Sequence, residues 1–181
     1  EYLLGMNMKK LITTAFLLMA LANVSYAAEM VNYCKDSVYR TDDDVIRLLG
    51  GSTWEKYGYG FFMIGQEVLI IWSSIQLDGV TRSYSYSEIL SDGARSLVTP
   101  VSGACNPSIG KKATVVREIN DGRTLIIDDG TVLNFDSFDS YDTDWWLPPY
   151  EVLISWDELY MWNLNNGKRV WIQSTEWPKG Y

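Results

Sequence analysis

Short stretches in which apolar and polar residues alternate recur along the second half of the chain, and this pattern predicts β-strands. Turn dipeptides separate several of them, namely Asp121-Gly122, Asp129-Gly130 and Asn166-Gly167. The predicted strands cover residues 113–119, 124–127, 131–135, 150–156, 159–163 and 169–173. Short strands joined by such turns are typical of a small, strongly bent barrel or sandwich.

The first half of the chain predicts a similar set of strands, preceded by a helix. The strands are expected at residues 53–57, 61–64, 68–72 and 81–86. Thr41 precedes three aspartates and an apolar segment that ends at Gly50, which is the pattern of a capped helix over residues 42–49. The predicted fold class is therefore all-β, with one short helix near the start of the exported chain.

An internal repeat divides the chain into two β units. The hexapeptide at residues 67–72, EVLIIW, recurs as EVLISW at residues 151–156. A stretch rich in Pro and Gly, residues 91–112, lies between the two copies. We therefore predict a first unit at residues 28–105 and a second, related unit at residues 106–181.

The beginning of the chain has the pattern of a secretory signal. Two lysines after Met8 precede an apolar run over residues 11–24, and Ser25-Tyr26-Ala27 supplies small residues at the cleavage positions. We expect cleavage after Ala27, so that residues 1–27 comprise a few upstream residues and a signal peptide. The predicted location of the mature protein is periplasmic or secreted.

Only two cysteines occur, Cys34 and Cys105. In an oxidising compartment such a pair predicts one disulfide, which would bracket the first unit. A bridge closing a loop of about 70 residues contributes roughly 4 kcal/mol in the chain-entropy treatment.

Composition excludes several classes of function. The formal net charge is −8, and no basic stripe offsets it, so neither nucleic acid nor an anionic membrane surface is an expected partner. The chain has no histidine, which rules out Ser-His-Asp and Cys-His catalysis and imidazole zinc sites. No phosphate-binding glycine loop is present. We predict no cofactor and no membrane insertion.

The second unit carries motifs that resemble a group of small, signal-bearing bacterial proteins of unknown function. The motifs are Asp129-Gly130-Thr131, an acidic segment at residues 142–144, Trp146-Leu147-Pro148 and the strand start at residues 151–154. The resemblance covers about a third of the chain and implies a small SH3-like β-barrel. With the repeat, it extends the predicted fold class to two tandem SH3-like units.

The last hairpin supplies the candidate ligand-binding residues. If Asn166-Gly167 forms a two-residue turn, Trp162 lies opposite Trp171, and Tyr160 shares their face. Residues 161, 163, 170 and 172 would then point into the unit. The aromatic face could bind a sugar ring or a partner's apolar side chains. The alternative is that the same rings are buried, either within the hairpin or against the first unit.

Two sets of carboxylates are weaker candidates. Asp136, Asp139, Asp142 and Asp144 could supply oxygens to Ca²⁺, but their spacing does not match an EF-hand, and capping of local turns explains them equally well. Asp142, Asp144 and Glu151 could supply a pair of carboxylates for glycoside hydrolysis. Glu151 begins its strand as Glu67 does, which favours a structural role. We predict no metal site and no catalytic residue.

The function expected from these observations is non-catalytic binding of a protein or cell-wall glycan through the aromatic face. The alternatives are a structural or assembly component, in which that face is buried between the units, and a small carboxylate-dependent hydrolase. The sequence does not specify the ligand or the oligomeric state.

Overall fold

The structure of the protein, a computed structural model, describes residues 29–77 and 80–178, with side chains throughout except at 73–77 and 80–86. The signal sequence predicted at residues 1–27 lies outside this range. The described residues form thirteen strands and one helix, in the order β1 (Glu29–Asp42), β2 (Val45–Leu48), β3 (Thr53–Tyr57), β4 (Glu67–Leu77), β5 (Val80–Ser91), β6 (Ala94–Ser102), β7 (Ser108–Ile119), β8 (Thr124–Ile127), β9 (Val132–Asn134), α1 (Ser140–Thr143), β10 (Tyr150–Ser155), β11 (Tyr160–Asn163), β12 (Arg169–Trp171) and β13 (Ser174–Glu176). The all-β fold class is confirmed. No helix among these residues is long and apolar enough to cross a bilayer.

The first six strands form a closed barrel. Their order is β1-β2-β3-β6-β5-β4, and β4 pairs again with β1, so every strand has two neighbours. Inward-facing side chains alternate along each strand and fill the interior, because successive strand residues point to opposite sides. The barrel core includes Val38, Ile46, Trp54, Ile70, Ile89 and Val98.

The helix predicted over residues 42–49 is wrong, because this segment forms the β1–β2 hairpin. Asp42 pairs with Val45, and Asp43 takes a positive φ of 50°, which an aspartate in a tight turn tolerates. Ile46 and Leu48 are buried while Arg47 between them is exposed. This alternation has the period of a strand, and pairing with β3 stabilises it over the competing helix cap.

Two further differences concern the first barrel. Residues 61–64, a predicted strand, form a loop in which only Phe62 is buried in the core. The loop is held to β1, since Gly65 donates its N–H to the Val38 carbonyl at 2.7 Å. The Pro- and Gly-rich stretch also contains β6, which was not predicted. Pro100 is tolerated in β6 because the pairing with β3 is irregular there.

The second unit is a curved sheet in the order β12-β11-β10-β7-β8-β9-β13. Its predicted strands all form; β8 has its predicted bounds, and the ends of the others are shifted by one to five residues. The concave face buries thirteen residues, among them Val115, Leu125, Leu133, Val152, Ile154 and Met161. The two copies of the repeated hexapeptide contribute β4 and β10. The repeat and the SH3-like character of both units remain predictions.

β1 joins the two units. Its residues Glu29–Tyr33 pair with β7, while Asn32–Ser37 pair with β4 on the opposite edge. A third core fills the space between the units, built from Val31, Tyr33, Leu69, Leu90, Leu153, Trp162 and Leu164. The second unit is therefore packed against the outer surface of the first barrel.

The predicted disulfide is confirmed. Cys34 of β1 is bonded to Cys105, with Cα atoms 6.0 Å apart and a sequence separation of 71. Cys34 is buried in the core of the first barrel. The bridge thus attaches the segment between β6 and β7 to β1.

Candidate functional site

The predicted aromatic face does not form an exposed platform, because Trp162 is buried. Only 3% of its surface is accessible, and its ring lies 5.4 Å from that of Tyr33 between the two units. Tyr160 is half-buried and contacts Trp171 at a centroid distance of 4.2 Å. Trp171 is 50% exposed. Trp162 is therefore not available to a ligand, and the surface that remains consists of Trp171 and the edge of Tyr160.

Charged side chains cover the same face: Arg169 comes from β12, and Glu67 and Lys35 come from the first barrel. Arg169 lies 4.8 Å over the Tyr160 ring and pairs with Glu67 of β4 at 3.1 Å. The Arg169 Nη1 atom does not reach hydrogen-bond geometry, so this contact is an ion pair only. Glu67 also binds Lys35 at 3.0 Å. The face is thus occupied by an interface of aromatic rings and ion pairs.

The register of the hairpin also differs from the prediction. Tyr160, not Trp162, pairs with Trp171, and the Asn163 N–H bonds to the Lys168 carbonyl at 2.9 Å. The connection is longer than two residues because Leu164 is buried in the core between the units. At Gly167, with φ 77°, an added Cβ would lie 2.2 Å from the Ser91 carbonyl oxygen. A shift of two residues keeps each side chain on its predicted face, so Met161, Asn163, Val170 and Ile172 are buried as expected.

The acidic segment forms local turns and ion pairs. Asp136 accepts hydrogen bonds from the N–H groups of Phe138 and Asp139. Both bonds lower the pKa of its carboxyl group, and the bond from Asp139 has the larger effect. Asp142 binds Lys168 at 3.0 Å. Among the residues described, acidic and cysteine side chains form no group of three or more that could hold a metal ion.

Two of the three carboxylates considered for hydrolysis, Asp142 and Glu151, have structural partners, and Asp144 is exposed. Besides the Asp142–Lys168 pair, Glu151 binds Lys112 at 2.8 Å. Trp146, next in the sequence motif, is 5% exposed and packs edge-on against Tyr150 in the core of the second unit. The Thr143 hydroxyl of α1 donates to the Gly122 carbonyl at 2.6 Å. The acidic segment and the Trp146 motif therefore close one end of the second unit.

The opposite end of the second unit is open and contains a cavity of about 340 Å³. Cross-strand pairing places Met30, Lys111 and Ile154 in one row, on the face that carries the core. Leu133 lies opposite them on β9. The walls are mainly apolar, and the complete lining is Met30, Lys111, Thr131, Leu133, Ile154, Ser155, Trp156, Glu158, Thr175 and Trp177. We call this cavity the end groove.

Two tryptophans flank the end groove and remain exposed. Trp156 is 74% exposed and Trp177 53%. The turn that carries Trp156 is well ordered by hydrogen bonds. The Asp157 carboxylate accepts bonds from the Ser155 hydroxyl and the Leu159 N–H, and the Glu158 N–H bonds to the Ser155 carbonyl at 2.8 Å. Trp177 lies over Lys111, with the ammonium 5.0 Å from its ring centre.

A largely buried ion pair lies among the polar groups of the end groove. Lys111 binds Asp129, and both side chains are largely buried, at 14% and 22% exposure. Burial alone would raise the pKa of the Asp129 carboxyl group, but hydrogen bonds from Lys111 and Thr131 outweigh it and lower this pKa. The Thr131 side chain lies near that carboxylate, yet its buried Oγ1 has no partner in hydrogen-bond geometry. The hydrogen bond that Thr131 makes to Asp129 comes from its N–H, at 2.9 Å, and its hydroxyl is buried, since the residue is only 1% exposed.

Replacing Lys111 with methionine is expected to lower the free energy of unfolding by about 1 kcal/mol at pH 7, because Asp129 is left charged, partly buried and unpaired. The pKa of Asp129 is depressed in the folded protein, so the ion pair stabilises at neutral pH. That contribution disappears as the pH falls through the folded-state pKa. The difference between wild type and variant should therefore begin to shrink below about pH 4, the ordinary range of an aspartate, and be lost only below the depressed folded-state pKa of Asp129. Urea unfolding from pH 7 to pH 3 measures it, and a constant difference would contradict the assignment.

Sequence reasoning missed the end groove. Trp156 was noted only as the last residue of the repeated hexapeptide, and Trp177 was not singled out. The available signal was weak: a tryptophan just beyond each of two strands, which an antiparallel arrangement could place at one end of the sheet.

Comparisons with known proteins give no match, whether with protein-family models, with curated proteins or with solved structures. The resemblance to small secreted bacterial proteins accordingly stays a prediction.

Proposed function

We propose that the protein is a non-catalytic binding module that holds an apolar group of a partner protein in the end groove. The observation that carries this proposal is the open apolar cavity between two exposed tryptophans. Cavities at the mouth of a β-barrel commonly serve as ligand sites when mostly apolar walls surround a few polar groups. Here Lys111, which is paired with Asp129, and the side chains of Ser155, Glu158 and Thr175 are those groups.

The size and chemistry of the end groove favour an apolar side chain over a sugar ring. Its volume of about 340 Å³ is at the low end for small-molecule sites. The Ser155 hydroxyl is already bonded to Asp157, and Lys111 is bonded to Asp129. A sugar would leave several hydroxyls without partners at these walls, which costs free energy. An apolar side chain needs only the contact area that Trp156 and Trp177 provide.

Tyr160, Trp162 and Trp171 have a different role in this proposal. The contacts of Trp162 with Tyr33 and of Tyr160 with Lys35 support the alternative in which the aromatic face joins the two units. Binding is assigned to the end groove instead. The disulfide and the predicted signal sequence support a role outside the cytoplasm, in the periplasm or after secretion.

A peptide selection tests the proposal. Random peptides displayed on phage are selected on the oxidised protein, and the affinity of the best synthetic peptide is measured by fluorescence titration. Trp156→Ala and Trp177→Ala should each weaken binding about tenfold or more, because both remove aromatic contact area. Trp145→Ala is the matched control, since Trp145 is 72% exposed but lies at the closed end. Its affinity should equal that of wild type.

Two results would overturn the proposal. One is a selection that yields no peptide sensitive to Trp156 or Trp177. The other is binding of purified peptidoglycan sacculi, lost in the same two variants and retained in Trp145→Ala. That second result would make the end groove a glycan site.

A further inference from the structure

The last strand of the second unit changes its pairing partner halfway along. Ile172 donates its N–H to the Leu159 carbonyl next to β11, at 2.9 Å. Gln173 donates to the Asn134 carbonyl of β9, at 2.8 Å. Successive strand residues direct their backbone groups to opposite edges, and this alternation is interrupted at the bend, where Gln173 and Ser174 both face Asn134 of β9. β12 and β13 are therefore one bent strand, attached to β11 by its first part and to β9 by its second.

This change of partner leaves an open backbone edge beside the end groove. The backbone of Phe135, directly after β9, faces the β8 side, because its N–H bonds to the Arg123 carbonyl at 2.9 Å. Val132 and Asn134 consequently face β13, where they pair with Glu176 and Ser174. The N–H and C=O of Thr175, between these two, point away from β9. In the part of the chain that the structure describes, no strand pairs with that side of β13.

The open edge and the cavity are adjacent. Thr175 lines the end groove, and Trp177 follows directly after β13. Thr175 is the cross-strand partner of Leu133, so the two side chains share a face and that of Thr175 points into the groove. The Thr175 backbone lies along the rim. An extended segment placed along this rim would have hydrogen-bond partners on its backbone and an apolar cavity for one side chain.

The charges at the rim are acidic. Glu158 lines the end groove, and Glu176, next to Thr175 on β13, turns its carboxylate to the other face of the strand, where it accepts a bond from the Asn134 amide. The ammonium of Lys111 is neutralised by Asp129. In a chain of formal net charge −8, these carboxylates favour a segment that carries Lys or Arg next to its apolar residue.

We propose that the end groove recognises its partner by strand addition: an extended, basic peptide segment pairs with the open edge of β13 and inserts one apolar side chain between Trp156 and Trp177. In this mode, backbone hydrogen bonds supply much of the affinity and the pocket supplies selectivity. This inference rests on the proposed function and specifies how the same site binds.

The test uses the peptide selected on the oxidised full chain. Each backbone nitrogen of the peptide is methylated in turn, and the dissociation constant is measured. Strand addition predicts a period of two: methylation weakens binding about tenfold at alternate positions and has little effect between them. Replacing the Lys or Arg beside the apolar residue should weaken binding at low salt. The effect should be smaller at 0.5 M NaCl, because the Debye length is then only a few Å.

The protein side is tested at Thr175. Thr175→Pro removes the N–H that faces the open edge and should weaken peptide binding far more than Thr175→Val, which keeps that N–H. Circular dichroism verifies folding, and the methylation series remains decisive if Thr175→Pro does not fold. Loss of binding in the Trp156 and Trp177 variants without the period of two would overturn strand addition and leave the proposed function intact. Absence of any selected peptide would overturn both.

Discussion

Replacing Trp162 with alanine is expected to lower the free energy of unfolding by about 3–5 kcal/mol. Trp162 is 3% exposed, and it packs in the core that joins the first barrel to the second unit. Its ring contacts Tyr33 at 5.4 Å and Tyr160 at 5.9 Å. Truncation would remove a large apolar contact area and leave a cavity that the rigid sheets cannot fill by collapse.

The measurement is urea unfolding of wild type and Trp162→Ala, followed by circular dichroism. Trp171→Ala is the matched control, because Trp171 is on the same hairpin but is 50% exposed. Its replacement should cost about 1 kcal/mol, the contribution of an aromatic pair with Tyr160. Equal costs for the two variants would mean that Trp162 is not buried between the units. Peptide binding through the end groove should survive in Trp171→Ala.

Removing the disulfide should destabilise the protein by about 4 kcal/mol, according to the loop-closure entropy of the unfolded chain. The bridge joins residues 71 apart in sequence, so its loss frees a long segment of the unfolded state. It also releases the connection between β6 and β7, which passes from one unit to the other. The expected outcome is a lower urea midpoint for Cys34→Ala/Cys105→Ala.

Unfolding of the reduced, unalkylated wild type separates the contribution of the cross-link from that of side-chain packing. The reduced protein keeps both sulfur atoms but lacks the cross-link, whereas the double variant also loses the packing of Cys34 in the barrel core. We expect reduction alone to account for most of the loss. A reduced protein as stable as the oxidised one would show that the bridge does not constrain the unfolded chain.

Much of the second unit could be predicted from the sequence, because its turns are local. Asp129-Gly130 is followed by a strand as expected, and Gly130 takes a φ of 86° that its lack of a side chain allows. β8 forms with its predicted bounds, Thr124–Ile127. Turn residues act within a few positions of the chain, so a sequence reader can identify them without knowing the tertiary contacts.

The helix at residues 42–49 and the missing β6 show where local patterns fail. Thr41 and its aspartates form a good helix cap in isolation, but β2 gains a ladder with both β1 and β3 in the barrel. β6 contains Pro100, which locally disfavours a strand, yet its neighbours β3 and β5 supply pairing along most of its length. In both cases, contacts between distant residues outweighed local propensity.

The prediction of an exposed aromatic face was wrong for another reason. The alternation along β11 correctly sorted its side chains into two faces, with Met161 and Asn163 on one and Tyr160 and Trp162 on the other. Alternation does not tell whether the second face meets solvent or another part of the protein. Here the first barrel covers it.

The sequence by itself therefore determined the β class, the pairing of the two cysteines and the division of strand residues into faces, since composition, turn residues and side-chain alternation are local properties. Only the tertiary structure decided which of those faces is exposed and where the open end lies. Burial of Trp162 depends on β1 and β4. The end groove depends on β7, β9, β10 and β13 meeting at one end, because a site built from several strands exists only once their long-range pairing is complete.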